Sequence, residues 1–236
     1  MSLQDRMIVA LDQPDAASAL ACARALAGRA KWVKVGMTLF YTEGPDIVRQ
    51  LRELGFDVFI DLKLHDIPHQ VRGAARALGR LGAGMLTVHA SGGLDMMVAA
   101  VQGACAGAEE AGVRAPAVLA ITVLTSIDVT ALLQTGVSRG PAEQVWELAG
   151  LAHRAGADGV VCSPQEARDL RGMLGPDTLI VTPGIRPSWA STPDDQARKS
   201  TPLGAIQAGA SHLVIGRPIT SADDPAAAFD RILMEE

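Results

Sequence analysis

The chain has 236 residues, 48% hydrophobic, 20% charged and only 3% aromatic, with 21 Lys+Arg against 26 Asp+Glu for a net charge of −5. This balance excludes intrinsic disorder, which needs low hydrophobicity and high net charge, and argues against a general nucleic-acid binder, which carries a basic patch. A chain this long buries enough apolar surface to fold without disulfide or metal staples. It is expected to form one domain over residues 1–236,. Cys22, Cys105 and Cys162 are widely spaced and form no C-x-x-C pair, which predicts a reducing compartment and small buried thiols,. The longest apolar runs, such as Ala117 to Leu124, fall far short of the roughly 18 residues of a membrane span. The N-terminus lacks the charged-then-apolar pattern of a signal peptide,. A cytoplasmic protein without a membrane partner is expected.

Taken in chain order, strands are predicted near 7–11, 32–36, 57–63, 84–89, 117–123, 158–162, 178–182 and 212–216. Each is a run rich in Val, Ile and Leu, the composition of a strand covered on both faces. Helical patterns lie between them, near 15–28, 45–54, 68–81, 94–111, 141–155, 164–174, 202–208 and 225–234. Gly follows several of these at 55, 82, 112, 156, 175 and 209, where a left-handed cap needs it,. Pro stands near several starts, at 14, 45, 68, 141, 164 and 225,. Strict alternation of eight strands and eight helices implies parallel strands with right-handed crossovers, and in this length a closed (β/α)8 TIM barrel of the α/β class,. An open doubly wound sheet is the alternative. Against it, neither G-x-G-x-x-G nor G-x-x-x-x-G-K-[ST] occurs,. One long irregular stretch, Gly184 to Lys199, follows the seventh strand; a loop this long is either a functional lid or a variable surface loop,.

A barrel builds its active site from the C-terminal ends of its strands. The polar residues there are Asp12, Lys34, Asp61, Lys63, His89, Thr125, Ser163 and Thr182, with Gly216 on the last strand. Charges inside apolar runs are costly unless paired. In Asp61-Leu62-Lys63-Leu64-His65-Asp66, residues two apart share a strand face, so Asp61 and Lys63 are expected to point together while Ile60, Leu62 and Leu64 face the helices,. Lys34 sits on the neighbouring strand and Asp66 in the loop opening the next helix, so a Lys–Asp–Lys–Asp array is predicted at the barrel mouth. A purely stabilising ion-pair network is the bland alternative. The chain has 17 Arg but only four Lys, and two of those lysines stand inside strands. Lysine can release a proton whereas arginine effectively never does, which points to proton donation.

A second cluster suits phosphate. Thr182-Pro183-Gly184-Ile185-Arg186 ends the seventh strand and Val214-Ile215-Gly216-Arg217-Pro218 the eighth. Barrels often hold phosphate there, glycine letting backbone N–H groups approach and arginine adding a planar fork of donors. An ordinary turn would explain either site alone. The five histidines make no H-E-x-x-H or close ligand pair, and no metal site is expected,. His89, at the end of the fourth strand, is read as a satisfied structural histidine, with a hydrogen bond in the site as the alternative, and Met96-Met97 as core or interface.

At these residues the sequence resembles the family of orotidine 5′-phosphate decarboxylases, in its bacterial form. The matching segments are Ala10-Leu11-Asp12, Val33-Lys34-Val35-Gly36, Asp61 to Pro68, Val88-His89-Ala90, Val123 to Ser126, Thr182 to Arg186 and Val214 to Arg217, in family order over nearly the whole chain. The resemblance implies a cofactor-free decarboxylation of orotidine 5′-monophosphate to uridine 5′-monophosphate, the last step of pyrimidine synthesis. It implies that Lys63 donates the proton to C6 of the base, flanked by Asp61 and by Asp66, the latter reaching across from the partner in a homodimer with shared sites. Lys34 and Asp12 are implied to contact ribose, with Lys34 also in the charged array, and Thr125 to contact the pyrimidine. Gln196, Gly216 and Arg217 are implied to cradle phosphate, with Arg186 opening a closing loop; Ile67, Gln70 and Pro183 complete the implied substrate contacts. After H-D-I-P the family usually has Asn-Thr or Thr-Thr, where this chain has His69-Gln70. The family's threonine contacts ribose across the dimer interface, and Gln70 reaches differently. Two rivals remain: a metal-dependent keto-sugar-phosphate decarboxylase or hexulose-phosphate synthase of the same barrel group, which shares D-x-K-x-x-D, and a non-catalytic barrel that binds a nucleotide phosphate.

Overall fold

The apolar runs form β1 (Met7–Leu11), β2 (Trp32–Gly36), β3 (Asp57–Leu64), β4 (Met85–His89), β5 (Ala117–Ile121), β6 (Gly159–Val161), β7 (Leu179–Thr182) and β8 (His212–Ile215). All pair in parallel in chain order, and β8 pairs back with β1 through Leu213–Met7 and Val214–Ile8, closing the sheet. The structure, a computed structural model, describes residues 1–190 and 199–235. Closure explains why the strands are apolar on both faces. Val9, Leu11, Val33, Val35, Val58, Ile60, Leu86 and Val88 point outward into the layer beneath the helices. Ile8, Trp32, Phe59, Met85, Leu119 and Val181 fill the interior as packed layers rather than a pore,.

Around the barrel run α1 (Leu3–Arg6), α2 (Ala16–Leu26), α3 (Met37–Glu43), α4 (Asp46–Glu53), α5 (Pro68–Gly79), α6 (Leu94–Ala111), α7 (Val129–Gln134), α8 (Pro141–Arg154), α9 (Ala167–Leu174), α10 (Pro202–Gln207), α11 (Arg217–Thr220) and α12 (Pro225–Leu233). The eight expected strands and eight expected helices are all present, with ends moved by at most three residues. Strict alternation is not: α1 precedes β1, and β2, β5 and β8 are each followed by two helices. The extra helices are short. Of their residues, α3 buries only Leu39, α7 only Leu132, α11 only Ile219 and α1 none, too few to leave a periodic signature in the sequence,. The cysteine expectation also needs correction. Cys22 and Cys162 are buried, but Cys105 is exposed, because on α6 it falls on the face away from the buried Gly103, Ala104, Gly107 and Ala108.

One helix pair sets the position of the segment that follows β3. α5 and α6 pack backbone to backbone: a Cβ at Gly103 or Gly107 would collide with the carbonyl oxygens of Arg72 and Arg76. That contact holds α5, whose first turn carries His69 and Gln70.

Candidate active site

The C-terminal strand ends enclose a cavity of about 540 Å³. Asp12, Lys34, Asp61, Lys63, Thr125, Pro183, Arg186, Gly216 and Arg217 all line it, together with an apolar wall that includes Phe59, Ile121, Val123 and Leu124. Alternation along β2 and β3 does most of this work. Val33, Val35 and Ile60 face the helices, so Lys34 and Asp61 must face the interior,.

Asp61 is the hub. Its Oδ2 accepts from Lys63 Nζ at 2.8 Å and lies 3.5 Å from Lys34 Nζ. Its Oδ1 accepts from the Thr87 hydroxyl at 3.0 Å. Lys34 Nζ also donates to Asp12 Oδ1 at 2.9 Å. Gly36 leaves room for that pair, since a Cβ there would lie 3.0 Å from Asp12 Oδ1 and 3.1 Å from Lys34 Nζ. Within one chain the cluster is therefore two ammonium groups and two carboxylates. Burial alone would neutralise its buried members, but the opposite charges outweigh it. Burial pulls the Lys34 pKa down, yet Asp61 and Asp12 hold it above the ordinary lysine value. Burial pushes Asp61 up, yet Lys34, then Lys63, hold it below the ordinary carboxylate value.

Lys63 reaches the cavity by a route simple alternation does not describe. The β3–β4 ladder is regular to Ile60–Leu86 and resumes at Leu64–Val88, so three residues of β3 stand opposite one of β4. Lys63 lies in this bulge with φ 54°, the only non-glycine residue at positive φ among the described residues. Bulges re-aim side chains next to active sites, and a lysine in the left-handed region is strained.

Asp66, Ile67 and Gln70 do not join the cavity. All three are exposed, and Asp66 Oδ1 accepts from the Ile67 N–H at 2.6 Å. The Lys–Asp–Lys part of the predicted array is assembled within this chain, with Asp12 as its second carboxylate; Asp66 stands outside it. After β8, Arg217 opens α11 behind its N-cap Gly216. The two ends of the long loop are tied together by backbone hydrogen bonds, Arg186 N to Ser200 O at 2.9 Å and Ser200 N to Gly184 O at 3.3 Å. Gln196 lies outside the described residues.

Two other strand-end polar residues have structural partners. Ser163 donates through its backbone N–H and its hydroxyl to the Glu166 carboxylate, and the Thr182 hydroxyl donates to His212 O at 3.4 Å. His89 packs beside the His65 ring, centroids 5.4 Å apart, and burial, then His65 and Lys63, lowers its pKa. The residue that sequence reasoning missed is Thr87. Its signal was a single hydroxyl flanked by the apolar Leu86 and Val88, a position that alternation turns inward.

A family model described as "Orotidine 5'-phosphate decarboxylase / HUMPS family" matches residues 5–232. A protein of Anaeromyxobacter sp. (strain K) named orotidine 5'-phosphate decarboxylase is 50% identical over 228 residues, covering 97% of this chain and 96% of that protein. A protein of the same name from Moorella thermoacetica is 50% identical over 239 residues, covering 100% and 93%. The crystal structure of orotidine 5'-phosphate decarboxylase from Lactobacillus acidophilus superposes with a TM-score of 0.86 at 42% identity, covering 98% of this chain and 99% of that one.

Proposed function

Because the chain belongs to the orotidine 5'-phosphate decarboxylase / HUMPS family, we propose that its barrel-mouth cavity is the site at which Lys63 protonates the substrate carbon. The chain is an orotidine 5′-phosphate decarboxylase, a carboxy-lyase that produces uridine 5′-monophosphate in the final step of pyrimidine biosynthesis. The observation that carries the site assignment is the Asp61 carboxylate held between Lys63 and Lys34 in a cavity that Arg186, Gly216 and Arg217 also line.

In the reaction the bond from C6 to the carboxylate breaks, CO2 leaves, and the electron pair stays on C6 in the plane of the ring with little resonance help. Lys63, as an ammonium, stabilises that charge and delivers a proton to the carbon, regaining one from solvent afterwards. A unit charge pair at about 4 Å contributes roughly 4 kcal/mol at an effective dielectric near 20, about three powers of ten in rate. Slow reactions need more, and the phosphate end supplies it. Binding of the phosphate by Arg217, the Gly216 backbone, Arg186 and Gln196 is remote from the reacting carbon and can be used to assemble and close the charged site. Water exclusion then strengthens each contact around C6. Thr125 and Pro183 flank the base, and Lys34 and Asp12 hold ribose.

Asp66, Ile67 and Gln70 act in this reading on the neighbouring site of a homodimer. In the single chain all three are exposed, Ile67 by 63%, and so are accessible to a second copy. The chain is further proposed to work as one barrel domain over 1–236 in the cytoplasm; among the described residues no helix is long and apolar enough to cross a membrane.

The test is direct. Lys63→Ala is expected to abolish loss of the orotidine 5′-monophosphate ultraviolet absorbance while still binding uridine 5′-monophosphate. Near-normal turnover by that variant removes Lys63 from the chemistry. Dialysis of the wild type against chelator is expected to leave turnover unchanged, because both carboxylates of the cavity already hold lysine ammonium groups at 2.9 and 2.8 Å.

A further inference from the structure

Between the outward-facing Leu86 and Val88, β4 turns a single side chain, Thr87, toward the charged cluster. Thr87 is 1% exposed. Opposite it, the bulge in β3 places Asp61, Leu62 and Lys63 against this one residue. A ladder interrupted in this way leaves backbone groups of the longer strand without their regular partners, and a buried N–H must find another. Here the partner is a side chain: the Lys63 N–H donates to the Thr87 hydroxyl oxygen at 2.9 Å. The same hydroxyl donates its own proton to Asp61 Oδ1 at 3.0 Å. The hydroxyl thus sits in a chain running from backbone amide to carboxylate, each bond polarising the next. Because it occupies Oδ1, the other oxygen, Oδ2, is the one presented to both Lys63 and Lys34.

We infer that Thr87 is a positioning residue for the decarboxylation, pinning the strained bulge that aims Lys63 and fixing which carboxylate oxygen of Asp61 the two lysines share. Strained backbone persists only where its surroundings over-determine it, and Thr87 is the neighbour that bonds to the strained residue and to its ion-pair partner at once. Valine has threonine's shape without the hydroxyl. At position 87 it would leave the Lys63 N–H and Asp61 Oδ1 unpaired in a buried place. Relaxing the bulge and turning the carboxylate would relieve both, and both movements carry the ammonium away from the carbon it serves.

The inference rests on Lys63 being the proton donor, so Lys63→Ala is assayed alongside. Thr87→Val and Thr87→Ser are purified and assayed with orotidine 5′-monophosphate below their melting temperatures. A misplacement of about 1 Å is worth up to roughly 100-fold. Thr87→Val is therefore expected to lose about 10- to 100-fold in kcat with KM within about threefold of the wild type. Thr87→Ser, which keeps the hydroxyl, is expected to restore kcat to within about threefold. A role confined to stability would lower the melting temperature and leave kcat of the folded enzyme alone. That outcome, or a change in KM only, or a serine variant as slow as the valine one, overturns the inference. If Thr87→Val does not fold, Thr87→Cys takes its place, exchanging the serine oxygen for a weakly bonding sulfur, and is read against Thr87→Ser in the same way. An active Lys63→Ala removes the underlying reading. An inactive Lys63→Ala with a fully active Thr87→Val removes this inference alone.

Discussion

Asp61 and Asp12 carry the same charge and each meets a lysine, yet they differ in what surrounds them. The Asp61 side chain is 12% exposed and the Asp12 side chain 64%. Removing one partner from a buried charge pair costs about 3–5 kcal/mol because the remaining charge has lost its compensation, whereas an exposed pair contributes about 0–1 kcal/mol. Asp61→Asn leaves Lys34 and Lys63 facing each other with only the exposed Asp12 nearby. It is expected to cost about 3 kcal/mol of folding stability and to abolish turnover, while Asp12→Asn costs less than about 1 kcal/mol. Urea midpoints of the two variants at pH 7 measure the contrast, and equal midpoints would mean that burial does not set the value of these pairs. At this scale the sequence was most informative where a charge interrupts an apolar run: Lys34, Asp61 and Lys63 were legible because a barrel places inward-facing charges near its strand ends at its mouth. Thr87 left a fainter mark, an inward-facing hydroxyl between Leu86 and Val88, since a threonine inside a strand is ordinary and only the bulge gives it its partners. The bulge itself left no sequence mark, because alternation between Asp61 and Lys63 predicts the same facing for a regular strand.

At the scale of elements, the apolar period made the eight strands and the longer helices readable, and it failed for α1, α3, α7 and α11, whose buried faces are one residue or none. The α5–α6 contact was equally hidden, since close packing of two helices depends on which glycines face each other across the pair. Gly73 and Gly107 make that dependence measurable. On α5, a Cβ at the exposed Gly73 meets nothing within 4 Å. On α6, one at Gly107 runs into the Arg76 backbone carbonyl. Gly73→Ala should stabilise by up to about 1 kcal/mol through helix propensity. Gly107→Ala should destabilise by about 1–3 kcal/mol, since two backbones must move apart. Denaturant midpoints with unchanged slopes would report the two shifts. Two shifts of one sign would show that helix propensity and not the helix–helix approach governs this face.

For the whole molecule, the proposed homodimer divides the candidate site between two chains. Asp12, Lys34, Asp61, Lys63, Arg186 and Arg217 converge inside the barrel, while His65 to Gln70, continuous in sequence with Lys63, form an exposed run on the outside. In the proposed homodimer a second copy buries the run and accepts Asp66 into its own cavity. In a two-fold dimer each site would then draw Lys63 from one chain and Asp66 from the other. Lys63→Ala and Asp66→Asn homodimers are each expected to be inactive. After exchange, a mixed dimer holds one site with both residues intact and one with neither. Random exchange makes half of the dimers mixed, so recovery should approach about a quarter of wild-type activity per chain. The control is a pair of labelled variants whose exchange is followed by energy transfer under the same conditions. Exchange without recovered turnover would place Asp66 in the site of its own chain, and Ile67 and Gln70 with it, because Asp66 and Ile67 lead directly into the first turn of α5, which carries Gln70.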